Sequence, residues 1–254
     1  KRYRPFFVVA VSQTFGLLLM LVVATATGGW DEPTDYVPWA VVASITGFVG
    51  LGMFYRAMAT GAVGVVSPIT ALAGLGPIVL GLALGDTPTV VQYLGLLAAL
   101  LGVVLASGPE LSGDTGARPV VLAVGATVLF GVCLVAIAMG SRSSPVMTMT
   151  GMRISTVGIL AVAGVVTVLR GDRFTVSGGR DLAAMAIVGI LDVAANLFYG
   201  IATTTGVLSL VSVLGSIYPV VTVLLAWWFL GERLRTIQYV GVALALGGVA
   251  AIVA

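Results

Sequence analysis

Apolar residues run along this chain in long blocks separated by short polar interruptions, and the block length sets the expected secondary structure. A helix needs about 20 apolar residues to cross a hydrocarbon core. Nine runs come close to that length, at 5–26, 38–60, 63–84, 89–107, 119–139, 146–169, 182–203, 207–230 and 237–254. The third is interrupted by Pro68 and Pro77, and the eighth by Pro219. Proline removes a backbone donor and crowds the carbonyl four residues earlier, so broken helices are expected in both places. Short connections favour antiparallel neighbours. The pattern predicts an all-α fold, a polytopic membrane helix bundle.

Part of the pattern occurs twice. Phe54-Tyr55, Thr60, Gly61, Ser67, Gly85-Asp86, Gln92-Tyr93, Gly95 and Gly102 return as Phe198-Tyr199, Thr204, Gly206, Ser212, Gly231-Glu232, Gln238-Tyr239, Gly241 and Gly248, at offsets of 144 to 146 residues. The expected organisation is a first repeat at 1–108, a linker at 109–118 and a second repeat at 119–254. The run at 119–139 has no partner in the first half. The simplest account is one further helix ahead of Lys1, making ten in two sets of five. An odd number per repeat inverts the second copy in the membrane, which is the inverted-repeat architecture of secondary transporters.

Composition agrees with a membrane setting and removes several kinds of chemistry. Of 254 residues, 59% are hydrophobic and 9% charged, with mean hydropathy +1.15. A soluble domain carries about 25% charged residues, so this chain could not wet an ordinary surface. There is no His, and the lone Cys133 sits in an apolar run, which leaves no metal centre, disulfide framework or cofactor to expect. None of the 34 Gly residues forms a phosphate-cradling loop between strand and helix, so they are read as helix-packing positions. Lys1, Arg2, Arg4, Arg56, Arg118, Arg170, Arg173, Arg180, Arg233 and Arg235 lie on one set of alternating connections, against Arg142 on the other. The positive-inside rule puts the Lys1 end in the cytoplasm and, after nine spans, the Ala254 end outside. Trp39, Trp227 and Trp228 fall near run ends, as interfacial aromatics do.

Against this background a few polar residues need reasons. Asp192 lies deep in an apolar run, with Asn196 four residues on and Tyr199 three further along the same stripe. A charged side chain at mid-span costs about 2.5–3.5 kcal/mol on insertion scales and normally faces a partner or a wet cavity. Asp192 and Asn196 are candidates for a solute or proton site, or for a structural clamp. Arg153 is the only cation deep inside a run, since Arg56 lies within a few residues of the end of the run at 38–60. It is open to three roles: gripping a solute carboxylate, pairing with Asp192, or snorkelling toward the Arg142 side. Ser209, Ser212 and Ser216 form a stripe leading to Tyr218 and Pro219, and Gln13 is an amide in mid-run. Each could meet solute or a neighbouring helix. Gly231-Glu232-Arg233 reads as a tight turn at a membrane face.

The segment Tyr218-Pro219, Leu225-Ala226-Trp227-Trp228-Phe229-Leu230-Gly231-Glu232-Arg233-Leu234, Gln238-Tyr239-Val240-Gly241 and Leu246-Gly247-Gly248-Val249 resembles the end of a repeat in the drug/metabolite transporter superfamily, in its EamA-type ten-helix members. Gly85-Asp86-Thr87-Pro88 is the weaker first-half copy, and Arg153 fits an Arg that members often carry in the second helix of a repeat, with Gln13 near that place in the first. The resemblance implies a carrier in a bacterial inner membrane, not an enzyme, that exports or exchanges small metabolites such as amino acids. The residues then favour neutral or zwitterionic solutes, handled by alternating access at Asp192, Asn196, Arg153, Tyr218, Ser216, Tyr199 and Gln13. Expected partners are a small-molecule solute and the lipid bilayer, with a proton as coupling ion and a homodimer both compatible and no nucleic acid. A non-transporting receptor or scaffold, or a carrier of nucleotide sugars or sugar phosphates, is the alternative.

Overall fold

The computed structural model describes residues 5–61, 63–108, 117–169, 179–230 and 235–253. Regular structure among them is entirely helical: α1 (Pro5–Ala26), α2 (Val37–Thr60), α3 (Val63–Thr70), α4 (Leu75–Ala83), α5 (Val90–Ala106), α6 (Ala117–Ser141), α7 (Pro145–Leu169), α8 (Gly179–Thr205), α9 (Leu208–Gly215), α10 (Tyr218–Leu230) and α11 (Thr236–Val253). Each of the nine apolar runs appears, and no boundary moves by more than three residues (182 against 179). Seven helical segments among the described residues are long and apolar enough to cross a bilayer, with the shorter apolar Val90–Ala106 and Leu208–Val221 beside them. Large apolar side chains such as Val79, Leu94, Val162 and Trp228 are exposed, as suits helices whose solvent is hydrocarbon. Of the linker expected at 109–118, residues 109–116 lie outside the described residues and Ala117 and Arg118 open α6; the turn at Gly231-Glu232-Arg233 also lies outside them.

Both expected helix breaks exist, and proline chemistry places them. The third run breaks between its two prolines, in a 3-10 turn at Ala71–Gly74. The ring of Pro77 conflicts with an α-helical carbonyl at Ala73, so the ladder cannot pass unbroken. In the eighth run Pro219 stands in the same relation to Gly215, where α9 ends.

The chain packs as two compact units, residues 1–45 with 136–204 and residues 46–135 with 205–254. Each draws on both sequence halves, so packing and duplication divide the chain differently.

In the first unit α7 packs against α1 and against the start of α2, where the Ser44 and Thr156 hydroxyls meet at 2.9 Å in a buried contact. Pro145 opens α7, and the preceding Ser144 Oγ accepts from Met147 N–H at 3.3 Å. Helices α1 and α8 touch through backbone. A Cβ on Gly189 would lie 1.9 Å from Ser12 O, and one on Gly16 would lie 3.1 Å from Gly189 O. Only glycine at 189 lets the two helices come this close.

In the second unit α5 and α11 run antiparallel along a seam of small residues. A Cβ on Gly102 would lie 2.3 Å from Ala245 N, and one on Gly248 would lie 2.5 Å from Ala99 N. The ends are tied reciprocally: Gln92 Nε2 donates to Ile252 O and Gln238 Nε2 to Ala106 O, both at 3.3 Å. Each Gln also closes its own helix start. Gln92 Oε1 accepts from Thr89 N–H at 3.0 Å, completing a capping box, and Gln238 Oε1 accepts from Arg235 N–H at 2.9 Å. The recurring Gln and Gly positions therefore meet along one antiparallel seam. Elsewhere in this unit Asp86 Oδ2 accepts from Ser209 N–H at 2.8 Å, capping α9 from a distant loop.

Candidate functional site

Three helices of the first unit deliver the polar residues that the sequence singles out. Helix α8 carries Asp192 and Asn196 one turn apart, α7 carries Arg153, and α1 carries Gln13. The Ser12–Gly189 approach fixes the register, since Gln13 follows Ser12 and Asp192 lies three residues beyond Gly189. The Ser44–Thr156 contact holds α7 one turn from Arg153.

Arg153 is the centre of the cluster and is almost wholly buried, its side chain 3% exposed. Its Nη2 lies 3.0 Å from Asp192 Oδ2, near enough to pair by charge though not aligned for a hydrogen bond. Nη1 donates to Gln13 Oε1. Nε has no hydrogen-bond partner among the described residues. Gln13 Nε2 reaches Asp192 Oδ2 at 3.4 Å, so the Gln13 amide bridges acid and base. Of the three roles open to Arg153, the pairing with Asp192 is the one observed. An uncompensated guanidinium in apolar surroundings is far costlier than a paired one.

The acid is placed differently from the base. The Asp192 side chain is 45% exposed. Asn196 Nδ2 donates to Asp192 O at 2.8 Å and approaches Asp192 Oδ1 at 3.4 Å. A backbone carbonyl only accepts, so the Asn196 nitrogen must face it and the amide oxygen must face away.

The other candidates fall as follows. Tyr199 lies half-buried one turn beyond Asn196 on α8. Ser216 and Tyr218 belong to the second unit. Ser216 is buried at the α9 break, its hydroxyl donating to Ser212 O at 2.7 Å, and a Cβ on Gly74 would lie 1.9 Å from Ser216 Oγ. The two helix breaks therefore face each other through Gly74 and Ser216. Tyr218, at the start of α10, is exposed. Cys133 is buried, and among the described residues no three His, Cys, Asp or Glu side chains come together to hold a metal ion.

Sequence reasoning overlooked the residues that position the cluster. The Ser44–Thr156 bridge leaves no signal in a single chain, because isolated hydroxyls are common in such helices. Gly189, immediately ahead of the Asp192 turn, and the seam glycines carried more signal.

Comparison with known proteins places the architecture. Residues 1–108 and 117–254 match the model of the EamA-like transporter family. No curated protein matches the sequence. One solved crystal structure of a protein, 21% identical, covers 99% of this chain and 88% of its own with a TM-score of 0.79, a likeness of fold.

Proposed function

This chain belongs to the EamA-like transporter family, and from that premise we propose that it is a secondary active transporter, an exporter or exchanger of amino acids or similar neutral or zwitterionic solutes. The single observation that carries the reading is the cluster of Gln13, Arg153, Asp192 and Asn196, four polar side chains from three apolar helices. Such groups are expensive in a membrane and mark solute or ion pathways. The pair is neutral overall, which suits an uncharged or zwitterionic solute better than a phosphate ester, whose charge would call for several free cations.

The two sequence halves serve as inverted repeats that alternate access in a bacterial inner membrane. Asp192, being accessible, receives solute or a coupling proton. Arg153 holds its carboxylate in place from behind, and Gln13 ties both to α1. Paired interruptions in corresponding spans, at Ala71–Gly74 and at Ser216-Ile217, support the transporter reading, since broken helices in matching positions accompany central sites. Tyr199, Ser216 and Tyr218 are proposed as further solute contacts.

Reconstitution into liposomes tests this. A panel of radiolabelled amino acids and related metabolites, run with and without a pH gradient, should give saturable flux of at least one solute, abolished by Asp192→Asn. Flux unaltered in that variant removes Asp192 from the mechanism. No flux across the whole panel favours the receptor or scaffold alternative.

A further inference from the structure

The Asp192 cluster hides its cation and presents its acceptors. Arg153, 3% exposed, lies behind Asp192, its Nη1 donating to Gln13 and its Nη2 3.0 Å from Asp192 Oδ2. A solute reaching the accessible side of the cluster therefore meets oxygen atoms first. Asp192 Oδ2 is held by Arg153 and Gln13, while Oδ1 has only the long 3.4 Å approach of Asn196 Nδ2. The Asn196 amide oxygen, turned away from the α8 backbone by the bond its nitrogen makes to Asp192 O, has no partner among the described residues. Two under-used acceptors one helical turn apart, one of them charged, form a site for an N–H donor.

We infer that Asp192 Oδ1 and Asn196 Oδ1 recognise the ammonium group of the solute, and that the cluster selects amine-bearing solutes over organic acids of the same shape. This rests on the transporter reading and narrows it. An ammonium supplies up to three donors, so it can satisfy both acceptors together. A carboxylate supplies none, and would be repelled by Asp192 while Arg153 stays out of its reach. To grip a solute carboxylate, Arg153 would have to come out from behind Asp192 and Gln13, where it is almost wholly buried. Gln13 and Asn196, which also face Asp192, are neutral amides and supply no competing charge.

The test uses the full-length protein in detergent and reads binding by thermal unfolding, followed through tryptophan fluorescence. Matched probes differ only in the charged group: butylamine and pentanoate, isopentylamine and 4-methylpentanoate, phenethylamine and 3-phenylpropanoate, with leucine and phenylalanine carrying both groups. A charge-assisted hydrogen bond to the amine should make each amine bind at least about tenfold more tightly than its matched acid. Asp192→Asn should reduce amine binding about tenfold, and Asn196→Leu should reduce it without altering charge. If Asp192→Asn does not fold, Asn196→Leu and the wild-type comparison decide the matter. Tighter binding of the acids, equal binding, or no response to any amine overturns the inference. Vesicle flux measured in parallel separates the two levels. Transport of a solute that lacks an amine keeps the transporter reading and removes this one, whereas amine binding with no flux of any solute removes the transporter reading.

Discussion

The unequal burial of Arg153 and Asp192 predicts unequal costs when the pair is broken from either side. Removing the acid by Asp192→Ala leaves a guanidinium that is 97% enclosed (100 less 3% exposure) with Gln13 as its remaining partner. Removing the base by Arg153→Met keeps the alkyl stem and leaves a carboxylate that is about half exposed. Breaking a fully buried pair costs about 3–5 kcal/mol, and an exposed pair contributes under about 1 kcal/mol. Since one partner is buried and the other about half-exposed, Asp192→Ala should cost about 2–3 kcal/mol and Arg153→Met about 1 kcal/mol. The double variant removes both charges, so it should cost less than the sum of the singles, with a coupling of about 1 kcal/mol or more. For a chain of this size 1 kcal/mol moves the midpoint roughly 2–4 °C, so Asp192→Ala should lower Tm by roughly 4–12 °C. Thermal unfolding of the four proteins in one detergent reads this directly. Equal costs for the two single variants, or strict additivity in the double, would refute the reading that the base is the sequestered member.

Other positions give sharper steric tests. Gly189→Ala would put a methyl group 1.9 Å from Ser12 O, a backbone atom that no rotamer change can move, so α1 must withdraw from α8. It should destabilise by about 1–3 kcal/mol and reduce flux as Gln13 leaves Asp192, measured by Tm and liposome uptake together. In the α5–α11 seam, Gly248→Ala meets the Ala99 backbone at 2.5 Å and should cost about 1–3 kcal/mol, while its neighbour Gly247→Ala meets nothing within 4 Å and should be neutral or stabilising by up to about 1 kcal/mol. Similar Tm values for these two variants would contradict the seam. Asp86→Ala removes the acceptor that caps α9 at Ser209 and should cost about 1 kcal/mol, with faster amide exchange confined to the first turn of α9.

How far the sequence could be read depends on which interactions are local. Span positions follow from apolar length, and the helix breaks follow from Pro77 and Pro219 acting on carbonyls four residues earlier, so both could be anticipated from neighbours in the chain. The seam was half-legible: Gln92, Gln238 and the glycines stood out by recurring, but recurrence does not say that the two copies would pack on each other. The polar cluster was legible as a set of exceptions. Asp192, Arg153 and Gln13 could be listed as costly residues in apolar runs, yet their grouping joins positions 140 and 179 residues apart.

The sequence by itself determined an all-helical membrane chain with a duplicated pattern and few intramembrane polar residues, because hydrocarbon imposes length and composition on every span independently. Only the tertiary structure decided that Arg153 is enclosed and Asp192 accessible, that Gly189 brings α1 and α8 to backbone contact, and that α5 meets α11. Those outcomes depend on which small residues let which helices approach, and a single chain does not encode them locally. Which of the two charges is the exposed one is among these outcomes, although both were visible in the sequence from the start.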